Sequence, residues 1–138
     1  MQRLDFPVDI PFAEKLGLEL WVASDGHHEI HVDLAAPHLN SRQVAHGGLL
    51  MTLLDIAMAQ AARGQQRDEP GQRTSMATIE MKTSFMRAAQ GRLRAVGKLL
   101  HKTGSLAFTE ATVFDAQDHI CAHATGTFKY LRVSKEST

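Results

Sequence analysis

The chain has 138 residues, 43% of them hydrophobic and 22% charged, and its 15 Lys and Arg balance its 15 Asp and Glu. That is enough for one domain with a real core and too little for two, and the composition is not that of a disordered chain. Zero net charge excludes the global basic field on which general nucleic-acid binding rests. One cysteine, Cys121, excludes an internal disulfide, and the polar start Met1–Asp5 lacks the pattern of a cleavable leader. The expectation is one domain over residues 1–138 in a reducing cytoplasm.

In chain order, Asp9 to Leu16 (DIPFAEKL) predicts a short helix with Asp9 as N-cap, Pro11 in the first turn and Gly17 as its stop. GLELWVA and HHEIHVDLA flank Ser24-Asp25-Gly26. His28, Ile30, Val32 and Leu34 alternate there with His27, Glu29, His31 and Asp33, which predicts a hairpin on an Asp-Gly turn. Ala36 to Arg42 reads as a loop. From Leu49 to Ala62, LLMTLLDIAMAQAA is apolar on every face apart from Thr52, Asp55 and Gln60, the pattern of a buried helix. At about 16 residues it is shorter than the roughly 20 of a membrane span. The polar stretch Arg63–Gly71 then predicts a surface loop.

The remainder reads as strands. Thr74 to Arg87 alternates, with Ala77, Ile79, Met81 and Phe85 on one face and Thr78, Glu80, Lys82 and Ser84 on the other. A strand opened by Gly91 sets Leu93, Ala95, Gly97 and Leu99 against Arg92, Arg94 and Lys98. SLAFTEATVFD follows the turn Thr103-Gly104. Beyond Ala116–Asp118, HICAHATGTFKYL places Ile120, Ala122, Ala124, Phe128 and Tyr130 on one face. The expected class is α+β: a short helix, two strands, a long helix, and a four-strand antiparallel meander curling its apolar face around that helix.

An ionised carboxylate inside an apolar helix costs several kcal/mol unless it is partnered, so Asp55 calls for an explanation. One reading is a solvated groove or an ion pair with an arginine such as Arg87; the other is a general base or nucleophile held in a dry pocket. At the start of the same helix, Gly47 and Gly48 offer backbone amides without intrahelical partners at the positive end of the dipole, which is what an oxyanion hole needs. The two glycines also suit mere tight packing. Gly47 and Asp55 are eight residues apart, roughly 12 Å along one helix, so a single carbonyl cannot reach both. If both serve one reaction, they come from two copies of the chain, as in an isologous dimer with antiparallel helices.

The residues HLNSRQVAHGGLLMTLLD (positions 38–55), with TIEMKTSFMRAA and HATGTFKYL, resemble the hot-dog-fold acyl-CoA thioesterases of the phenylacetate-degradation (PaaI-like) branch, from about Trp21 onward. That resemblance implies a long helix wrapped by a five- or six-stranded antiparallel sheet, a homodimer and a homotetramer, and metal-free hydrolysis of an acyl-CoA. No cofactor is implied, coenzyme A being part of the substrate. It further implies that Asp55 activates water or attacks the carbonyl, that the Gly47 amide polarises the thioester oxygen, that Asn40 helps to place that carbonyl, that His46 shapes the same pocket, and that Thr78 orients the water. The loop Ser41–Ala45 departs from the pattern, since such relatives often carry a glycine there.

Further candidates follow from chemistry alone. Gly48 is grouped with the substrate, and Arg87, Arg92, Arg94, Lys98 and Lys102 are candidates for a rim that binds the phosphates of CoA, or for a solvated sheet face. His27, Glu29 and His31 share a strand face but lack metal-ligand spacing, so no metal is expected. Cys121 reads as a packing residue. Competing functions are a non-catalytic acyl-CoA sensor and a hot-dog hydratase or dehydratase; neither nucleic acid nor membrane is expected as a partner.

Overall fold

A computed structural model describes residues 1–64 and 68–134 of the chain. The elements run β1 (Gln2–Leu4), α1 (Pro11–Leu16), β2 (Glu19–Val22), β3 (His28–Asp33), a 3₁₀ turn (Ala36–His38), α2 (Gly47–Arg63), β4 (Gln72–Phe85), β5 (Arg92–Lys102), β6 (Leu106–Phe114) and β7 (Ile120–Ser134). α1 begins later than expected: its N-cap is Ile10, with no side-chain cap, rather than Asp9. It closes at Gly17, whose φ of 72° is the left-handed conformation that ends many helices. The loop expected over Arg63–Gly71 includes residues 65–67, which lie outside the described residues, and Arg63 itself completes α2.

All seven strands form one antiparallel sheet in the order β1-β2-β3-β5-β6-β7-β4. The Asp-Gly hairpin is present, with Trp21 opposite Glu29 and the His27 N–H donating to Asp25 Oδ1 at 3.1 Å. Two features differ from expectation. β1, three exposed residues with no hydrophobic alternation, adds a seventh strand outside β2. The last four strands are not a meander: β4 crosses over to pair with β7 at the far edge, and β5 pairs with β3.

The sheet wraps α2. Leu53, Leu54 and Met58 are fully buried against Leu93, Ala95, Ala111, Val113, Ala124 and Phe128, and burying each large side chain contributes roughly 2 kcal/mol. The approach is closest at Gly97, where a Cβ would lie 2.2 Å from the Ala57 carbonyl oxygen. α2 is not covered all round within one chain. Gly48, Met51, Thr52, Asp55 and Ala59, on neighbouring turns of one helix face, form a partly exposed stripe.

Of the three register shifts in the sheet, one lies in β5 between Leu99 and His101, and the other two correct the expected strand alternation. In β4 the register shifts between Thr78 and Glu80, leaving Ile79 as the extra residue. Before it, even-numbered Thr74, Met76 and Thr78 face α2; after it, odd-numbered Met81, Thr83 and Phe85 do. Ala77 is therefore on the outer face, and Ile79 is 56% exposed. In β7 a shift near the start leaves Cys121 buried and Ile120 exposed, reversing the side expected for Ile120.

Candidate active site

The entry to α2 decides which backbone groups are available for chemistry. Four amides at a helix start lack intrahelical partners. Here the His46 N–H donates to the His38 carbonyl at 2.8 Å, and the Leu49 N–H donates to the His46 carbonyl at 2.9 Å. The Gly48 N–H donates to His46 Nδ1 at 2.8 Å, so the imidazole is the N-cap. The amide left without an acceptor among the described residues is that of Gly47. His46 thus acts on this entry through its ring, and Gly48 is committed to His46 rather than free.

Gly47 opens into a cleft of about 450 Å³ that also takes in Asn40, Arg42, Leu50, Phe85 and Arg87. Asn40 holds the loop that forms one wall: its Oδ1 accepts the Arg42 N–H at 2.9 Å and the Val44 N–H at 3.4 Å. Its side-chain NH2 has no acceptor among the described residues. The loop turns through Gln43 at φ 61°, the left-handed conformation for which a glycine is the usual residue. The missing glycine therefore leaves the turn in place, at a local cost. A larger hollow, about 690 Å³ between Phe6–Pro11 and the start of β4, contains none of the candidate catalytic residues.

Asp55 sits two turns further along α2, on the exposed stripe. Its Oδ1 accepts a hydrogen bond from the Thr78 hydroxyl at 2.6 Å, and no arginine pairs with it among the described residues. The bulge at Ile79 makes this contact, because unbroken alternation would have put Thr78 on the same face as Glu80, away from the helix. Thr78 donates to Oδ1, and Oδ2 has no hydrogen-bond partner among the described residues. Asp55 and Gly47 stand roughly 12 Å apart by helical rise, too far for one carbonyl to contact both within one chain.

The remaining candidates separate. Arg87 lines the Gly47 cleft. Arg92 is bound elsewhere, to Glu19 and to Asp33, both at 3.0 Å. Its guanidinium holds the Glu19 carboxyl below the usual carboxylate range, against the opposing effect of burial. Arg94 pairs with Asp118 at 2.9 Å and lies over the Phe114 ring. Lys98 is exposed and in register with Glu110, and the Lys102 ammonium lies 5.8 Å from the Tyr130 ring centre. Glu29 bridges His27 and His31, each at 2.9 Å. Burial pushes the Glu29 carboxyl up, but His31, His27 and Arg94 together hold it below its ordinary value. The sequence reading missed Arg42 as a cleft residue; its place two positions after Asn40, in the loop that Asn40 caps, was the available signal.

The sequence profile of the thioesterase superfamily matches residues 42–122, more than half of the chain and the stretch that carries Gly47, Asp55 and Thr78. No curated protein matches the chain. Among solved structures, the BH2602 protein of Bacillus halodurans, determined with CoA, is 28% identical with a TM-score of 0.84, over 93% of this chain and 83% of that one. The conserved protein PA5202 of Pseudomonas aeruginosa is 30% identical with a TM-score of 0.78, over 89% of this chain and 95% of that one. The PaaI protein of the E. coli phenylacetic acid degradation operon, 21% identical with a TM-score of 0.77 over 91% and 88%, shares the fold. With a long helix wrapped by an antiparallel sheet and a family match across that helix, the chain is a hot-dog-fold protein that belongs to the thioesterase superfamily, and thioester hydrolysis in general is the activity this membership assigns.

Proposed function

We propose that the protein is an acyl-CoA thioesterase of the PaaI-like kind, acting as a homodimer in which Asp55 of one protomer and the Gly47 amide of the other serve one substrate. The observation that carries this is the pairing of a hydroxyl-anchored carboxylate, Thr78 to Asp55 at 2.6 Å, with a single free amide at the start of the same helix. Neither half suffices alone, and an antiparallel pair of α2 helices brings one half of each chain to the other. Two surfaces suit that pairing. The stripe Gly48–Met51–Thr52–Asp55–Ala59 is open on α2, and β4 is a 14-residue edge strand with no strand on its outer side among the described residues. Two such dimers form the proposed homotetramer, and a cytoplasmic location suits the free thiol of Cys121.

Asp55 acts as general base toward water, or as the nucleophile itself. The Gly47 amide stabilises the oxyanion that develops on the thioester carbonyl, an interaction worth about 3 kcal/mol of barrier in comparable sites. The leaving group is a thiolate, a much weaker base than an alkoxide, so expulsion needs no strong general acid. Asn40 helps to place the carbonyl, and His46 keeps the helix entry in the conformation that leaves Gly47 free.

The test is release of free thiol, detected with a thiol reagent, over a panel of aryl and straight-chain acyl-CoA esters. Asp55→Asn is expected to lower turnover at least about a hundredfold while leaving the melting temperature in place. Full activity of that variant on every ester hydrolysed by the parent refutes the catalytic role. Ester binding without thiol release supports a sensor instead, and loss of enoyl absorbance without thiol release supports a hydratase. A strictly monomeric protein at assay concentration refutes the two-chain site.

A further inference from the structure

The cleft beside Gly47 is polarised. Its inner end is closed by Val44, Ala45, Leu50 and Ala89, all buried, while its exposed lip carries Arg42 and Arg87, and no acidic side chain lines it. Neither guanidinium has a carboxylate partner among the described residues, whereas Arg63, Arg92 and Arg94 each have one. The segments that carry the two arginines are fixed to each other. The Ala45 N–H donates to the Ala89 carbonyl at 2.9 Å, lacing the Asn40–Ala45 loop to the stretch after β4. Arg42 is further held by Asn40 Oδ1 at 2.9 Å, and Arg87 by the Cys121 carbonyl at 3.2 Å. One exposed arginine is ordinary surface. Two unpaired ones on backbones held in fixed relation, above an acid-free cleft, form a fork for a phosphate, which guanidinium groups bind by charge-assisted hydrogen bonds.

We propose that Arg42 and Arg87 clamp a phosphate of the CoA moiety at the lip of this cleft, so that the pantetheine arm runs inward and delivers the thioester to the Gly47 amide. The clamp rests on the acyl-CoA reading above, and it makes the cleft selective for CoA esters over thioesters that lack the nucleotide. It also narrows the candidate phosphate rim to one residue of those expected, Arg87, and adds Arg42.

The experiment compares one acyl group carried on CoA, on 3′-dephospho-CoA and on pantetheine, with the parent and with Arg42→Gln, Arg87→Gln and the double variant. Calorimetric binding of free CoA runs alongside. The parent is expected to show a lower KM for the CoA ester than for the pantetheine ester. Each single variant raises the KM for the CoA ester about tenfold, and the double variant collapses the preference, with a matching loss in free-CoA affinity. If the 3′-dephospho ester behaves as the pantetheine ester does, the clamped group is the 3′-phosphate; if it behaves as the CoA ester does, the group is the diphosphate. The clamp is overturned if the double variant keeps the preference of the parent, or if Lys98→Gln or Lys102→Gln erases it instead. No thiol release from any ester overturns the hydrolysis reading alone, and the clamp is then judged on free-CoA binding.

Discussion

Gly97→Ala tests the packing that sets the position of Asp55, the proposed catalytic carboxylate. The added Cβ would lie 2.2 Å from the Ala57 oxygen, 2.6 Å from the Ala57 carbonyl carbon and 3.2 Å from the Met58 nitrogen. All three are backbone atoms, so no side chain can swing aside, and an ordinary carbon–oxygen approach of about 3.4 Å requires α2 and β5 to separate by about 1 Å. Around the contact, Met58, Leu93 and Ala95 are 0% exposed and leave no slack. Overpacking of this kind costs about 1–3 kcal/mol, and the backbone location puts Gly97→Ala at the upper end, net of the fraction of a kcal/mol that alanine contributes in a strand. For a chain of this size that lowers the melting temperature by about 10 °C. Asp55 lies two residues before Ala57 on the same helix, so a 1 Å displacement also disturbs its 2.6 Å bond to Thr78. A misplacement of that size costs about a hundredfold in rate. Thermal and urea unfolding with thiol-release kinetics read both effects. Gly104→Ala, with nothing within 4 Å of the added carbon, is the control and should be neutral. A Gly97→Ala protein that unfolds within about 0.5 kcal/mol of the parent refutes the reasoning.

Thr78→Val removes the hydroxyl that holds Asp55 and keeps the β-branched shape. Turnover should fall about tenfold or more with little change in KM, and equal turnover in steady-state assays shows that Asp55 needs no anchor. Gln43→Val places a branched side chain at φ 61° and should destabilise by about 1–2 kcal/mol in denaturant melts, whereas Gln43→Gly should not destabilise. His27 titrates above its ordinary value because Glu29, and then Asp25, stabilise its charged form against the opposing effect of burial. Its contribution to stability is therefore complete below about pH 6.5 and is lost as pH rises through the higher folded-state value. His28, lowered by burial and by the charge of His27, works in the opposite direction and at lower pH. Between about pH 6.5 and 8, melting temperatures should thus fall less in His27→Gln than in the parent, and parallel curves would refute the assignment.

Much was legible from local pattern. α2 was visible because a long, mostly apolar run of good helix formers must bury most of its surface in a core, and the Asp-Gly turn announced its hairpin. The stripe around Asp55 was less visible, because an apolar side chain left partly exposed on a helix looks the same in sequence as one buried in the core. β1 was missed because three exposed residues, Gln2, Arg3 and Leu4, are too few to carry a period, and Ile10 displaced Asp9 as a cap because no side-chain bond at that helix start rewards the aspartate.

By itself the sequence determined which residues are greasy, that one long helix spans Leu49 to Ala62, and that Gly47 and Asp55 lie too far apart to share one carbonyl within one chain. All of these follow from short-range periodicity and helical rise. Only the tertiary structure decided that β4 crosses to the far edge beside β7, that one extra residue at Ile79 turns Thr78 toward Asp55, and that Arg42 and Arg87 line one cleft. Strand order and bulges depend on hydrogen bonds between segments distant along the chain, whose energies leave no imprint on the local alternation of side chains.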